Sequence, residues 1–339
     1  MSAVKRGESG ICCVVGVDKP TGVSSHDVVN SVRRVFGERR VGHTGTLDPL
    51  ATGALAVCVG PATRLNQYLT CDDKTYQVRI AFGVATDTDD SCGEPVRVCD
   101  VPMRVCDPDF AVDYVSGLVG KRKQMPPAYS AIKKNGVKSY EAARKGLVIE
   151  LEPRDIEIYR AELLAMQTDI SAHHIFWDLE VSVSKGTYIR SLARDIGASL
   201  GTAAHVDQLR RIASGRLHVD DCRSLERLSD VGLDAAIDPV YLLGFPMVFL
   251  DEHQVGDVRN GKSLKVSMLR CFEAPRRVDD ADCGPRRGAV PICRGFEQGE
   301  RLSLVSRNEL IAIYEYDAPG DIIRPCCVFS QGVTRGKGV

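Results

Sequence analysis

The stretch IFWDLEVSVSKGTYIRSLARDIGASLG, residues 175–201, constrains the fold more than any other. Trp177, Leu179, Val181 and Val183 alternate with Asp178, Glu180 and Ser182. That period of two belongs to a half-buried strand. After a Lys-Gly-Thr turn the period becomes helical, with Ile189, Leu192, Ala193, Ile196 and Leu200 on one face. A strand that turns directly into an amphipathic helix needs a sheet with the helix laid against it. Three other stretches add strands and a second strand-to-helix turn. In KTYQVRIAF, Tyr76, Val78, Ile80 and Phe82 oppose Gln77, Arg79 and Ala81, and ALAVCVG is an apolar run of strand length. VDKPTGVSSHDVVNSVRRVFG reads as a short strand, a Pro-Thr-Gly turn and a helix. Ser24 and Asp27 form its capping signal, Val28, Val32, Val35 and Phe36 its apolar stripe, and Gly37 its stop. The class expected is α+β.

With 339 residues, two domains are expected. No apolar run approaches the roughly 20 residues of a membrane span, and the N-terminus lacks a secretory pattern, so the cytoplasm is the expected compartment. The boundary is placed near residue 246, where Phe245-Pro246 precedes shorter strands, glycines and arginines. A polar stretch over 270–293 reads as an insertion, and 331–339 as a tail. MPPAYSAIKKNGVKSYEAARKG, opened by two prolines and punctuated by Asn135-Gly136, reads as a projecting loop or hairpin with a short helix. The formal net charge of −1 argues against a generic polyanion binder but leaves room for a local basic groove. Its candidate residues are Arg33-Arg34, Arg39-Arg40, Lys121-Arg122-Lys123, Lys133-Lys134 and Arg210-Arg211. The 13 cysteines contain no C-x-x-C, and Cys271, Cys283, Cys293 and His173-His174 lack the spacing of a zinc site, so no metal is expected.

VGHTGTLDPLATG, residues 41–53, holds a single carboxylate. Pro49 pushes Asp48 towards extended backbone, and Gly42, Gly45 and Gly53 permit close approach of another backbone or of a ligand. Asp48 is thus either a turn residue bonding its own loop or the centre of a site. The spacing fits neither the Walker phosphate loop nor the dinucleotide fingerprint. Arg190 falls in the first turn of its helix, where the macrodipole disfavours a cation unless an anion is near. A carboxylate from another segment would pair with it in two-point fashion. Read alone, Tyr76 and Tyr188 could each be ordinary packing residues.

GHTGTLDPLATG, KTYQ and SKGTYIRSLARDIGASLGTAAHVDQLRR, with DKPTGVSSHDVV and QMPPAYSAIKKNGVKSYEAARKG, resemble the TruB family of tRNA pseudouridine-55 synthases over roughly residues 14–225. LDEHQVGDVRNGKSL and ELIAIYEYDAPGDIIRP are more weakly similar to a PUA domain. The resemblance implies a pseudouridine synthase fold. Its central sheet would be mixed, mainly antiparallel, and flanked by helices and loops, with a small β-rich PUA-like domain over 247–330. Residues 1–246 would be catalytic, with 125–150 gripping the T arm. It makes Asp48 the nucleophile, Tyr76 the platform under the uracil, Tyr188 a neighbour of the base and Arg190 the aspartate's partner. His43 would hold the everted nucleotide, Leu209 would line the pocket, and Lys19-Pro20 would lie near the site. Lys133, Lys134 and Lys138 are the candidate phosphate contacts. The family's cysteine-serine before K-G-T-Y is Val183-Ser184 here.

The implied chemistry suits these residues. A base inside folded RNA must be flipped out to be reached, and an aromatic face then holds it at roughly 1–3 kcal/mol per stacked base. Detaching uracil, turning it and rejoining it through C5 is redox-neutral and calls for no cofactor. It does call for an ionised carboxylate, which an arginine neighbour favours. The expected partner is the T-arm stem-loop of tRNA, bound by a monomer with no protein partner. The alternatives are a tRNA-binding or tRNA-folding protein without turnover, and a guide-RNA-dependent synthase.

Overall fold

The computed structural model describes residues 9–70, 73–129, 133–134, 137–138, 151–169, 174–276 and 290–336. Strand β1 (Cys13–Lys19) leads into helix α1 (Ser25–Phe36), followed by β2 (Val41–His43), β3 (Thr52–Val59) and β4 (Lys74–Phe82). A small hairpin, β5 (Val84–Thr86) and β6 (Pro95–Val98), precedes helix α2 (Pro108–Ser116) and β7 (Gly120–Gln124). The backbone of β8 (Lys133–Lys134) and β9 (Val137–Lys138) pairs as a minimal hairpin. The long hairpin β10 (Arg154–Asp169) and β11 (His174–Val183) then feeds helix α3 (Ile189–Leu200). β12 (Ala204–Ser214), β13 (Leu217–His218) and β14 (Ala236–Ile237) complete a ten-stranded sheet. Its order is β14-β1-β3-β12-β4-β11-β10-β7, with β13 beside β12 and β2 beside β3. Every pairing in it is antiparallel except β12 with β3, so the sheet is mixed and mainly antiparallel, as expected.

The elements follow local chemistry. Ser24 Oγ accepts the Asp27 N–H while Asp27 accepts the Ser24 N–H, so a full capping box opens α1. Gly37 closes it at φ +59°, a conformation that favours glycine. Val28, Val29, Val32 and Phe36 are buried. On β4 and β11 the alternating residues expected to face inward are all buried.

β1 and β3 are buried on both faces, which explains the unbroken apolar run ALAVCVG. Cys13, Val15, Val17, Leu55, Val57 and Val59 join the core that α1 and α3 cover. Cys12, Val14, Ala54, Ala56 and Cys58 point the other way. The adjacent cysteines therefore serve two different cores. Burial pushes the Cys12, Cys13 and Cys222 thiols up to about 12, so they behave as small apolar side chains.

The second face meets a small β-rich unit. Its strands are β15 (Met247–Phe249), β16 (Leu264–Lys265), β17 (Arg270–Phe272), β18 (Arg301–Ser306), β19 (Glu309–Asp317) and β20 (Ile322–Thr334), in the order β16-β20-β19-β18-β15-β17. Met247, Val305, Ile313, Phe329 and Val333 share one core with Val14, Cys58 and Leu65, so the unit is welded to the back of the central sheet. Two expectations shift here. β20 runs to Thr334, whose N–H donates to Cys12 O at 2.8 Å, so residues 331–336 belong to the fold and are not a free tail. The polar stretch over 270–293 is narrower than expected. β17 occupies its start, and Glu273 N donates to Val290 O at 2.8 Å across its neck. Residues 277–289 lie outside the described residues.

Candidate active site

Asp48 sits in the Thr44–Ala51 loop between β2 and β3. Ser25, the first residue of α1, grips Leu47 from both sides: its Oγ accepts the Leu47 N–H at 2.8 Å and donates to Leu47 O at 3.0 Å. Gly22 N donates to Pro49 O at 2.9 Å and Thr21 Oγ1 to Leu50 O at 3.1 Å. Ala51 N donates to Asp48 O at 3.0 Å, closing the turn. Asp48 is thus both the turn residue and the residue the turn presents.

Arg190 approaches from the start of α3. Its Nε donates to Asp48 Oδ2 at 2.9 Å and its Nη2 to Asp48 Oδ1 at 3.3 Å. The remaining guanidinium protons reach Thr88 O and Tyr129 O, both at 2.8 Å. The arginine side chain is 6% exposed and the aspartate side chain 37% exposed. The cation at an unfavourable helix end therefore has the anion that the dipole argument required, and the carboxylate keeps an open side.

Lys19 lies fully buried at the end of β1. Its Nζ donates to Pro20 O, Val23 O and Pro49 O at 2.8, 2.7 and 3.4 Å. Burial brings its pKa down to about 8, with the Asp48 charge opposing that fall. Lys19 therefore straps the Asp48 loop to the Pro-Thr-Gly turn, and Pro20 contributes a carbonyl to that strap. His43, at the end of β2, has its pKa lowered by burial and by the nearby Arg211 and His26 charges. Its Nδ1 accepts the Gly45 N–H at 3.3 Å, which places the neutral ring's proton on Nε2 as a donor. Tyr76 is buried on β4, between Val181 of β11 and Arg211 of β12. Leu209 is buried on β12 opposite Val78. Tyr188 is the N-cap residue of α3, two residues before Arg190. The side chains of Lys133, Lys134 and Lys138 lie outside the described residues.

Two functional neighbours escape a sequence reading. Asp90, in the turn TDTDDSCGE, is buried, and its Oδ2 lies 3.7 Å from Arg190 Nε. It also accepts from Thr88 Oγ1 at 2.7 Å and Cys92 N at 3.1 Å, so the turn that supplies Thr88 O is held rigid. Arg211 belongs to one of the candidate clusters for a local basic groove, but it is 1% exposed. Its guanidinium donates to Ala54 O at 2.7 Å and Gly45 O at 3.2 Å, bracing the Asp48 loop from beneath. Arg210, beside it, is paired with Asp18 at 2.8 Å. The loop glycines make room for protein. At Gly53, φ +105°, a methyl group would stand 2.2 Å from Arg211 O. At Gly42 one would stand 2.8 Å from Asn66 Nδ2. Among the described residues no group of His, Cys, Asp and Glu gathers as metal ligands would, and no helix is long and apolar enough to cross a membrane.

The fold is similar to that in a solved H/ACA RNP bound to a substrate RNA containing 2'-deoxyuridine. The TM-score is 0.64 at 23% identity, covering 95% of this chain and 86% of that one. That likeness is one of fold; in this chain the sheet carries at one end a half-open carboxylate locked to a buried arginine. The family model "TruB family pseudouridylate synthase (N terminal domain)" matches residues 33–189, and "tRNA pseudouridylate synthase B C-terminal domain" matches 190–243. A tRNA pseudouridine synthase B of Solibacter usitatus is 40% identical over 272 residues, covering 78% of this chain and 90% of that protein. One of Mycobacteroides abscessus is 40% identical over 288 residues, covering 83% and 96%. The chain belongs to the TruB family of pseudouridylate synthases.

Proposed function

We propose that this enzyme converts the T-loop uridine of tRNA, position 55, to pseudouridine, as a cytoplasmic monomer without guide RNA, protein partner, metal or cofactor. The observation that carries this is the two-point Asp48–Arg190 pair with its open carboxylate. The target uridine flips out of the T loop into the site. Tyr76 stacks on the uracil, Leu209 and Tyr188 line its pocket, and the His43 Nε2 proton is offered to the everted nucleotide. Asp48 is the nucleophile that attacks the ribose or the base, and Arg190 keeps it charged and aimed. Lys19 and Pro20 hold the loop in place. The Lys133–Lys138 hairpin grips the T arm, with Lys133, Lys134 and Lys138 on phosphates, which makes affinity salt-dependent.

The test uses an unmodified tRNA transcript and chemical mapping of pseudouridine, with no added RNA. Wild type is expected to modify the T-loop uridine, and Asp48→Asn to bind the tRNA and modify nothing. No product from wild type without a guide would overturn the reading. An active Asp48→Asn would overturn the nucleophile assignment alone.

A further inference from the structure

The chain between β7 and the Lys133–Lys138 hairpin is fastened to the first two turns of α3. Gln124, the last residue of β7, is 2% exposed. Its Oε1 accepts the Tyr188 N–H at 2.8 Å, and its Nε2 donates to Tyr188 O at 3.0 Å. Tyr188 O also accepts the Leu192 N–H, the first bond of the helix. One residue past Gln124, Met125 O accepts from Arg194 Nη2 at 2.8 Å. Four residues further, Tyr129 O accepts from Arg190 Nη2 at 2.8 Å. Pro126 and Pro127, between them, are buried.

Helix α3 opens at Tyr188 with no side-chain cap. Gln124, 64 residues away, instead binds the N-cap backbone itself, accepting the Tyr188 N–H as the N3 side chain of a capping box would. A primary amide offers an acceptor and a donor side by side at every pH, so glutamine is chemically suited to this place. A leucine of similar size offers neither, and a carboxylate only accepts. The strap that follows is stiff, because proline fixes φ at two of its positions.

We infer that Gln124 is a positioning residue for the isomerisation. It fixes the Tyr188 backbone, and with it the aim of the Tyr188 ring and of Arg190, and it ties that geometry to the chain that carries the hairpin. The inference rests on the proposed function, because it assigns Gln124 a part in that reaction.

The experiment compares wild type, Gln124→Leu and Gln124→Glu. It measures the single-turnover rate of pseudouridine formation with enzyme in excess, tRNA affinity by filter binding, and melting by circular dichroism. Gln124→Leu is expected to slow the single turnover by roughly ten- to a hundredfold, with Kd changed less than about threefold. Gln124→Glu keeps the acceptor for Tyr188 N–H but, when ionised, turns a lone pair towards Tyr188 O. Protonation restores a donor. Its rate relative to wild type should therefore rise as the pH falls from about 8.5 to about 6. A wild-type rate in Gln124→Leu overturns the inference, as does a loss confined to Kd. A pH-independent ratio for Gln124→Glu assigns a merely structural role and overturns it too. A wild type that makes no pseudouridine overturns the proposed function instead.

Discussion

Asp48 and Asp238 are each held by an arginine at two points, yet the two regions use the pair differently. Arg335 donates from Nε to both Asp238 oxygens at 3.0 Å and from Nη2 to Oδ2 at 2.6 Å. Asp238 also accepts the Val240 N–H at 2.9 Å, capping the helix Pro239–Leu243. Its side chain is 5% exposed and that of Arg335 16%. At Asp48 the asymmetry is reversed: the arginine is the buried partner, and the carboxylate keeps an open side. An aspartate whose acceptor sites are filled and covered can only hold structure together. An aspartate gripped from one side is held in a fixed direction with its other side open, as the proposed nucleophile would need to be. The same ion pair thus either fills and covers its carboxylate or leaves it open on one side, according to which member is buried.

The largest break in that comparison is Arg190→Lys. A lysine keeps one charge but loses the fork, leaving Thr88 O and Tyr129 O without their donors. Single-turnover pseudouridine formation is expected to fall about 10²- to 10³-fold, with tRNA binding retained. Equal losses of rate and affinity would show that the fork serves binding. The matching break at the other pair is Arg335→Ala. It strands a buried carboxylate and is expected to cost about 3–5 kcal/mol in denaturant unfolding. The rate per folded molecule at 25 °C should not change, and a rate loss would mean that the C-terminal clamp reaches the site.

These two pairs differ in how far the sequence reveals them. Arg190 announces its need for an anion, because a cation in the first turn of an amphipathic helix is misplaced without one. Asp48 is marked by the motif around it. The capping box of α1 and the alternation in β4 and β11 are local patterns and were legible. Arg335 carries no such mark. It sits in the polar ending TRGKGV, and its partner lies 97 residues away. Asp90, Arg211 and Gln124 stayed hidden for the same reason. Each is a polar residue buried by packing between distant segments, and burial of that kind has no local period. Arg211 is the clearest case: charge placed it on the surface, and the parallel contact of β12 with β3 put it beneath the Asp48 loop.

Lys19 distinguishes the Asp48 region further, because it stands there as a second, fully buried cation in addition to Arg190. Its pKa falls from 10.5 to about 8 on folding. The unfolded chain therefore binds the proton more tightly, so the charged lysine opposes folding fully below about pH 8. That cost is relieved as the pH rises towards 10.5, where both states are neutral. The span corresponds to about 3 kcal/mol. Urea midpoints of wild type relative to Lys19→Met are expected to rise between pH 8 and pH 10. A flat difference would mean that the lysine carries its usual proton affinity in the fold. Lys19→Met also leaves the Pro20, Val23 and Pro49 carbonyls without a donor, so its own stability at pH 7 is not expected to rise by the full amount.

The smallest effect is expected at a third arginine–aspartate pair, Arg210–Asp18. Its geometry is as good as the others, with contacts of 2.8 and 3.1 Å. What it lacks is burial: the side chains are 39% and 33% exposed. Solvent screens such a pair and either charge can be rehydrated, so Arg210→Ala should cost less than about 1 kcal/mol. Because Arg210 lies beside buried Arg211 and pairs through β12 with Gln77 next to Tyr76, it also tests what this edge of the site does. Unchanged tRNA affinity and rate would leave it a surface pair. A salt-dependent loss of affinity with the rate preserved would show that RNA phosphate competes with Asp18 for the guanidinium, which only an exposed pair permits.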